Sequence, residues 1–211
     1  MRNQFPVLLL FLLTATSGCV LPTFEHPAST PETSLRDDVL CGEWVNITIL
    51  EDGTIQKEDE TFKIGHDPKN KGWTLIGATR LNKKNELVNE VRNFLVTRIG
   101  EDNYISTPKT ELDFGETDGS YILGKYHYDS KTKRLGMRWV NPIKLKEAIQ
   151  RGMLLGTITE ESAKSNGKEE LKLKAVHVES TTEELRAFLK QYPDILFDEN
   201  VEYLERVTPK D

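Results

Sequence analysis

From about residue 40 the chain is cut into short stretches of alternating apolar and polar residues, each closed by turn-forming residues. That spacing confines it to antiparallel β-structure that closes on itself. Residues 42–50 carry Trp44, Val45, Ile47, Ile49 and Leu50 and run into the turn pair Asp52-Gly53. Residues 61–65 alternate briefly, and 68–72 form a polar turn. Residues 73–81 hold Trp73, Leu75, Ile76 and Leu81, and residues 87–99 are rich in β-branched side chains and stop at Gly100. The first half of that last stretch also fits a helix. Residues 104–107 end at Pro108. Residues 120–128 put Tyr121, Leu123, Lys125 and His127 on one face, with Ile122, Gly124, Tyr126 and Tyr128 on the other. A loop at 129–133 returns the chain through 134–140.

The C-terminal part adds helices. Asn141-Pro142 places an N-cap side chain before a proline at the first helical position, and Ile143, Leu145, Ile149 and Met153 follow at helical spacing as far as Gly152. Residues 162–168 read as a polar loop, and 171–178 as an alternating strand. Thr181 and Glu184 have the spacing of a capping box, with Leu185, Phe188 and Leu189 as the apolar stripe behind it and Pro193 as a stop. Residues 201–207 read as a last strand. The expectation is an α+β fold, mainly antiparallel β: a small barrel or strongly curved sheet with two helices in the C-terminal part.

The N-terminus has a different logic. Arg2 and the α-amine give a positive start, residues 7–13 are unbroken apolar, and small residues 14–18 lead to Cys19. This is the tripartite layout of a secretory signal. A membrane span would need about 20 apolar residues, more than this run supplies. Thr16-Ser17-Gly18-Cys19 resembles the lipobox of bacterial lipoproteins, with Thr16 departing from the usual leucine. The resemblance implies cleavage between Gly18 and Cys19, diacylglyceride on the Cys19 thiol, and a further acyl chain such as palmitate on the new amine. Two or three chains hold a protein to a bilayer where one alone is marginal. Val20 after the cysteine implies, by the enterobacterial sorting pattern, the outer membrane, with the domain facing the periplasm or the cell exterior. Residues 20–38, interrupted by Pro22, Pro27 and Pro31, read as an extended tether. The expected organisation is a signal peptide at 1–18, a lipidated cysteine and flexible tether at 19–38, and a single β-rich domain with C-terminal helices at 39–208.

Gly42-Glu43-Trp44, opening the first strand, is similar to the Gly-x-Trp motif of lipocalins, in which the tryptophan plugs one end of the barrel. A second lipocalin motif is not evident. Residues 178–189 and 204–207, together with the early Gly-x-Trp strand, look like the ending of a group of uncharacterised bacterial lipoproteins. The lipocalin resemblance implies a lipocalin-like barrel; the second implies a fold shared with that group and no established activity.

Little in the sequence carries chemistry. The formal charge of −6 lacks the basic footprint of a nucleic-acid binder and gives no electrostatic attraction to anionic lipid, so membrane contact rests on the anchor. With Cys19 lipidated, Cys41 has no partner and reads as a small buried apolar residue or as a reactive or intermolecular thiol. His26, His66, His127 and His177 lack zinc-ligand spacing and read as surface or structural. No serine-nucleophile elbow or phosphate loop is present. The acidic, glycine-containing stretch 113–119 reads as a hairpin connection and not a calcium loop. Trp44, Trp73 and Trp139 are expected either to pack the core or to line a pocket. The expectation is a membrane-anchored extracytoplasmic protein without enzymatic activity, metal or cofactor, binding a small apolar ligand. The alternative is a packed envelope protein working through a protein partner. A carboxylate cluster of Glu111, Asp113 and Glu116 around a histidine would instead indicate an enzyme.

Overall fold

The computed structural model describes residues 20–81, 87–109, 119–165 and 168–207. The eleven strands are β1 (Thr23–Phe24), β2 (Gly42–Ile49), β3 (Ile55–His66), β4 (Trp73–Leu81), β5 (Leu87–Ile99), β6 (Asp102–Pro108), β7 (Tyr121–Asp129), β8 (Arg134–Trp139), β9 (Gly156–Ser165), β10 (Lys168–Val178) and β11 (Glu202–Arg206). Among the described residues two helices, α1 (Pro142–Gln150) and α2 (Thr182–Gln191), lie between β8 and β9 and between β10 and β11.

Eight strands close into an antiparallel barrel in the order β2-β3-β4-β5-β6-β7-β8-β11, and β11 pairs back onto β2. The barrel is therefore α+β and lipocalin-like in outline. Its closing strand comes from the far C-terminus, where Leu204 lies between Leu135 on one side and Asn46 on the other. Closure gives each of these eight strands a partner on both sides, which removes the usual site of edge-to-edge association apart from the end of β5 beyond Leu95.

The two-residue period of each strand sorts side chains between two cores. Trp44, Phe62, Ile64, Phe94, Val96, Ile105, Tyr126, Leu135, Met137 and Leu204 point inward and fill the barrel. Eight-stranded barrels are just wide enough for side chains to do this. The opposite face of β5–β7 supplies Ile99, Tyr104 and Leu123 to a second core outside the wall, under Leu145 and Ala148 of α1 and Leu185, Phe188 and Leu189 of α2.

The helices follow from their caps. The Asn141 side chain accepts from the N–H groups of Ile143 and Lys144 with Pro142 at the first turn, and Thr181 and Glu184 complete a reciprocal capping box. The buried face of α1 is set by Leu145 and Ala148, and Ile143 stays exposed. Two strands are longer than their sequences suggest. β3 begins at Ile55, and β9 runs through the stretch expected as a loop, pairing with β10 from Gly156↔Val178 to Ser165↔Lys168. In β3 the added residues after Ile55 are polar and largely exposed, and in β9 residues 162–165 carry three polar side chains and one alanine, so no apolar alternation marks either.

The tether expectation is corrected. Residues 22–35 pack onto the barrel as a strap. β1 pairs in parallel with β10 and meets Tyr121 of β7. Phe24, Ala28 and Ser29 are fully buried. Farther on, Ser34 Oγ accepts from Val96 N–H at 2.9 Å, and Leu35 N–H donates to Val96 O at 2.8 Å. β4 starts opposite Leu95, so these bonds satisfy the stretch of β5 that β4 does not reach. The prolines that suggested a loose spacer instead leave fewer donors to satisfy, and Pro31 sits in a turn closed by Thr33 and Ser34 N–H donating to Thr30 O. Gly72 shows how close the fit is: with φ +87°, a Cβ there would lie 1.8 Å from Pro31 O.

Candidate functional site

The barrel has a closed base and a more open mouth. At the base, Gly42 takes φ +146°, a conformation that favours glycine, and any Cβ would meet the Arg206 guanidinium at 3.5 Å. Two residues on, Trp44 is fully buried, and its Nε1 donates to Leu40 O at 2.8 Å. The Arg206 guanidinium stacks 4.8 Å from the Trp44 ring and 5.7 Å from the Tyr128 ring, and donates to Val39 O. Tyr126 donates to Asp37 Oδ2 at 2.7 Å, and burial together with that carboxylate pushes its phenol far above the ordinary tyrosine range. The 37–40 turn is thus bonded across the end of the barrel.

At the mouth, Trp139 faces inward on β8 and its ring lies over Gly124, where a Cβ would come within 2.9 Å of it. Trp139 Nε1 donates to Glu202 Oε2 at 3.0 Å. Burial pushes the Glu202 carboxyl above the ordinary carboxylate range, against the lowering effect of that bond. On β3, Glu58 accepts from Asn46 Nδ2 at 3.3 Å and is also raised, first by burial. Trp139 is only partly buried where it joins the inner core. The mouth therefore presents an indole beside two carboxyl groups that burial raises above the ordinary carboxylate range.

A second cluster lies at the base. Asp38, Cys41 and His66 each bring one ligand-capable atom within 4.8 Å of the others. His66 Nε2 is 2.9 Å from Asp38 Oδ1, and its Nδ1 is buried without a hydrogen-bond partner. The Cys41 thiol lies against the His66 main-chain N–H, and burial raises it above the ordinary thiol range. The sequence gives a faint hint in Asp38-x-x-Cys41. His66 enters only through the β2–β3 register, in which Gly42 pairs with Ile64.

The sequence-predicted residues separate. Trp44 packs the base and Trp139 lines the mouth. Trp73 pairs with Leu95 on the alternation that faces the strap and does not reach the interior. His177 bonds Thr23 at 2.9 Å, and His127 is exposed on the outer wall. There an open groove of about 530 Å³ is lined by Lys125, His127, Arg134, Arg138, Asp194 and Tyr203. Lys125 is buried and held by Asp102 at 2.7 Å and Asp194 at 3.0 Å, a clamp between the wall and the segment after α2. Gly18, Cys19, Glu111, Asp113 and Glu116 lie outside the described residues. No helix among the described residues is long and apolar enough to cross a membrane. Comparison with protein-family models, with curated proteins and with solved structures finds no match.

Proposed function

We propose that this chain is a lipid-anchored extracytoplasmic protein, without enzymatic activity, that holds a small amphiphile at the mouth of its barrel. The observation that carries the reading is the inward-facing, partly exposed Trp139, laid on Gly124 and bonded to Glu202 above a sealed base. An apolar segment would lie on Trp139, and a hydrogen-bonding head would meet Glu202 and Glu58. The lower barrel is packed, so the ligand sits shallowly. Cys19 would carry the diacylglyceride and palmitate chains in the outer membrane. Because Val20 already packs against the outer core, the barrel would lie close to the bilayer surface, able to take lipid-like ligands from it.

Native mass spectrometry of protein exposed to an envelope lipid extract tests the binding. Wild type should retain one bound amphiphile and Trp139→Ala should not. Wild type emerging bare would overturn the reading. Palmitate labelling that is absent from a Cys19→Ser variant tests the anchor.

A second reading is favoured by one observation: Phe62, Phe94, Met137 and Leu204 occupy the interior at 2–6% exposure. A packed barrel can act through its exterior, and the groove around Lys125 and Asp194 would then meet a protein partner. Crosslinking from His127 or Arg138 would detect it.

A further inference from the structure

The geometry points to a divalent metal site of the zinc type at the base of the barrel, formed by Cys41, His66 and Asp38 with a fourth position left to solvent. It lies at the opposite end from the mouth and does not depend on the ligand reading.

Three independent features converge. The donor set combines one thiol, one imidazole and one carboxylate, the ligand types zinc prefers. A divalent ion bound by thiolate and carboxylate makes a site of zero net charge, which suits partial burial. The imidazole is also prepared. The His66 side chain is nine-tenths buried, and Nε2 meets the Asp38 carboxylate. The other ring nitrogen, Nδ1, is buried and unpartnered, and the Cys41 thiol lies against the His66 main-chain N–H. An orphaned buried ring nitrogen costs free energy unless something binds it.

The dimensions fit a small adjustment. A four-coordinate zinc with bonds near 2.0–2.3 Å holds its ligand atoms about 3–4 Å apart. The present spread is within 4.8 Å. The Asp38 side chain is 92% exposed and free to swing, whereas His66 is fixed by the β2–β3 ladder. Binding would exchange the thiol proton for a sulfur–metal bond, releasing one H⁺ to solvent; no oxidant or reductant is involved. A carboxylate ligand and the absence of thioether donors in the set favour zinc over monovalent copper.

Cobalt(II) titration of the full chain under a non-chelating reductant tests the site. Wild type should bind one equivalent with a thiolate-to-cobalt charge-transfer band in the near ultraviolet, displaced by zinc. Cys41→Ser should lose the band. The exposed change Asp38→Asn should keep the fold, as judged by circular dichroism, and weaken binding at least about tenfold, the scale seen when a metal site loses even an outer partner. No stoichiometric band in wild type would overturn the assignment. So would an Asp38→Asn variant that binds as wild type does, which decides the matter even if Cys41→Ser fails to fold.

Discussion

Gly42 and Glu202 illustrate two kinds of local commitment, one to the fold and one to the site. Gly42→Ala forces a side chain into φ +146° against the Arg206 guanidinium. It should cost about 1–3 kcal/mol in urea-monitored unfolding. The Gly-x-Trp pair was legible in the sequence because its two residues do separate physical work: the glycine turns the backbone, and Trp44 fills the base. The Asp38–Cys41–His66 cluster was not legible, since its members meet only through strand register. Glu202 makes a prediction in pH. Its carboxyl is raised in the folded state, first by burial. An acid raised on folding imposes a penalty that is absent below the ordinary carboxylate range and grows as pH climbs to the elevated value. Glu202→Gln should therefore leave stability unchanged in acid and increase it at neutral pH. Trp139 emission should titrate across that window in wild type and not in the variant. Equal stability gains at both pH values would contradict the burial account.

At the scale of elements, the strap is where sequence reasoning failed most. Three prolines and few apolar residues describe a spacer, yet Phe24, Ala28 and Ser29 are fully buried and Ser34 bonds the stretch of β5 that β4 does not reach. Composition does not reveal that a strand edge elsewhere needs donors and acceptors. Gly72→Ala should lift the strap at Pro31, costing about 1–3 kcal/mol and opening residues 27–36 to limited proteolysis. A variant as resistant as wild type would show that the strap has room to spare. The helices, by contrast, were readable from Asn141-Pro142 and Thr181–Glu184, because capping is a local interaction. The polar extensions of β3 and β9 were missed for the opposite reason: stretches with almost no apolar side chains leave no periodicity to read. The Lys125 clamp joins elements distant in sequence, so Lys125→Ala should cost about 1–3 kcal/mol by taking the ammonium from Asp102 and leaving Asp194 to Arg138 alone. Asp194 is held below the usual carboxylate range first by its bond to Lys125, so that contribution is present at neutral pH and disappears as acid protonates it.

For the molecule as a whole, the strand spacing was enough to indicate a closed antiparallel barrel, since alternation and turns recur through seven of its eight strands. Which strand closes it was not apparent. β11 reaches β2 across most of the chain, with Arg206 opposite Trp44. Ending the chain after residue 201 should leave the barrel unclosed and the protein poorly soluble. The same topology seals the base with Arg206 and leaves Trp139 as the indole facing inward at the mouth. The most direct test of mouth binding is therefore quenching by a brominated fatty acid, which acts only on tryptophans in contact with it. The account expects saturable quenching of wild type that survives Trp73→Phe and is lost in Trp139→Phe. Quenching that persists undiminished in Trp139→Phe, or none at all in wild type, would contradict it.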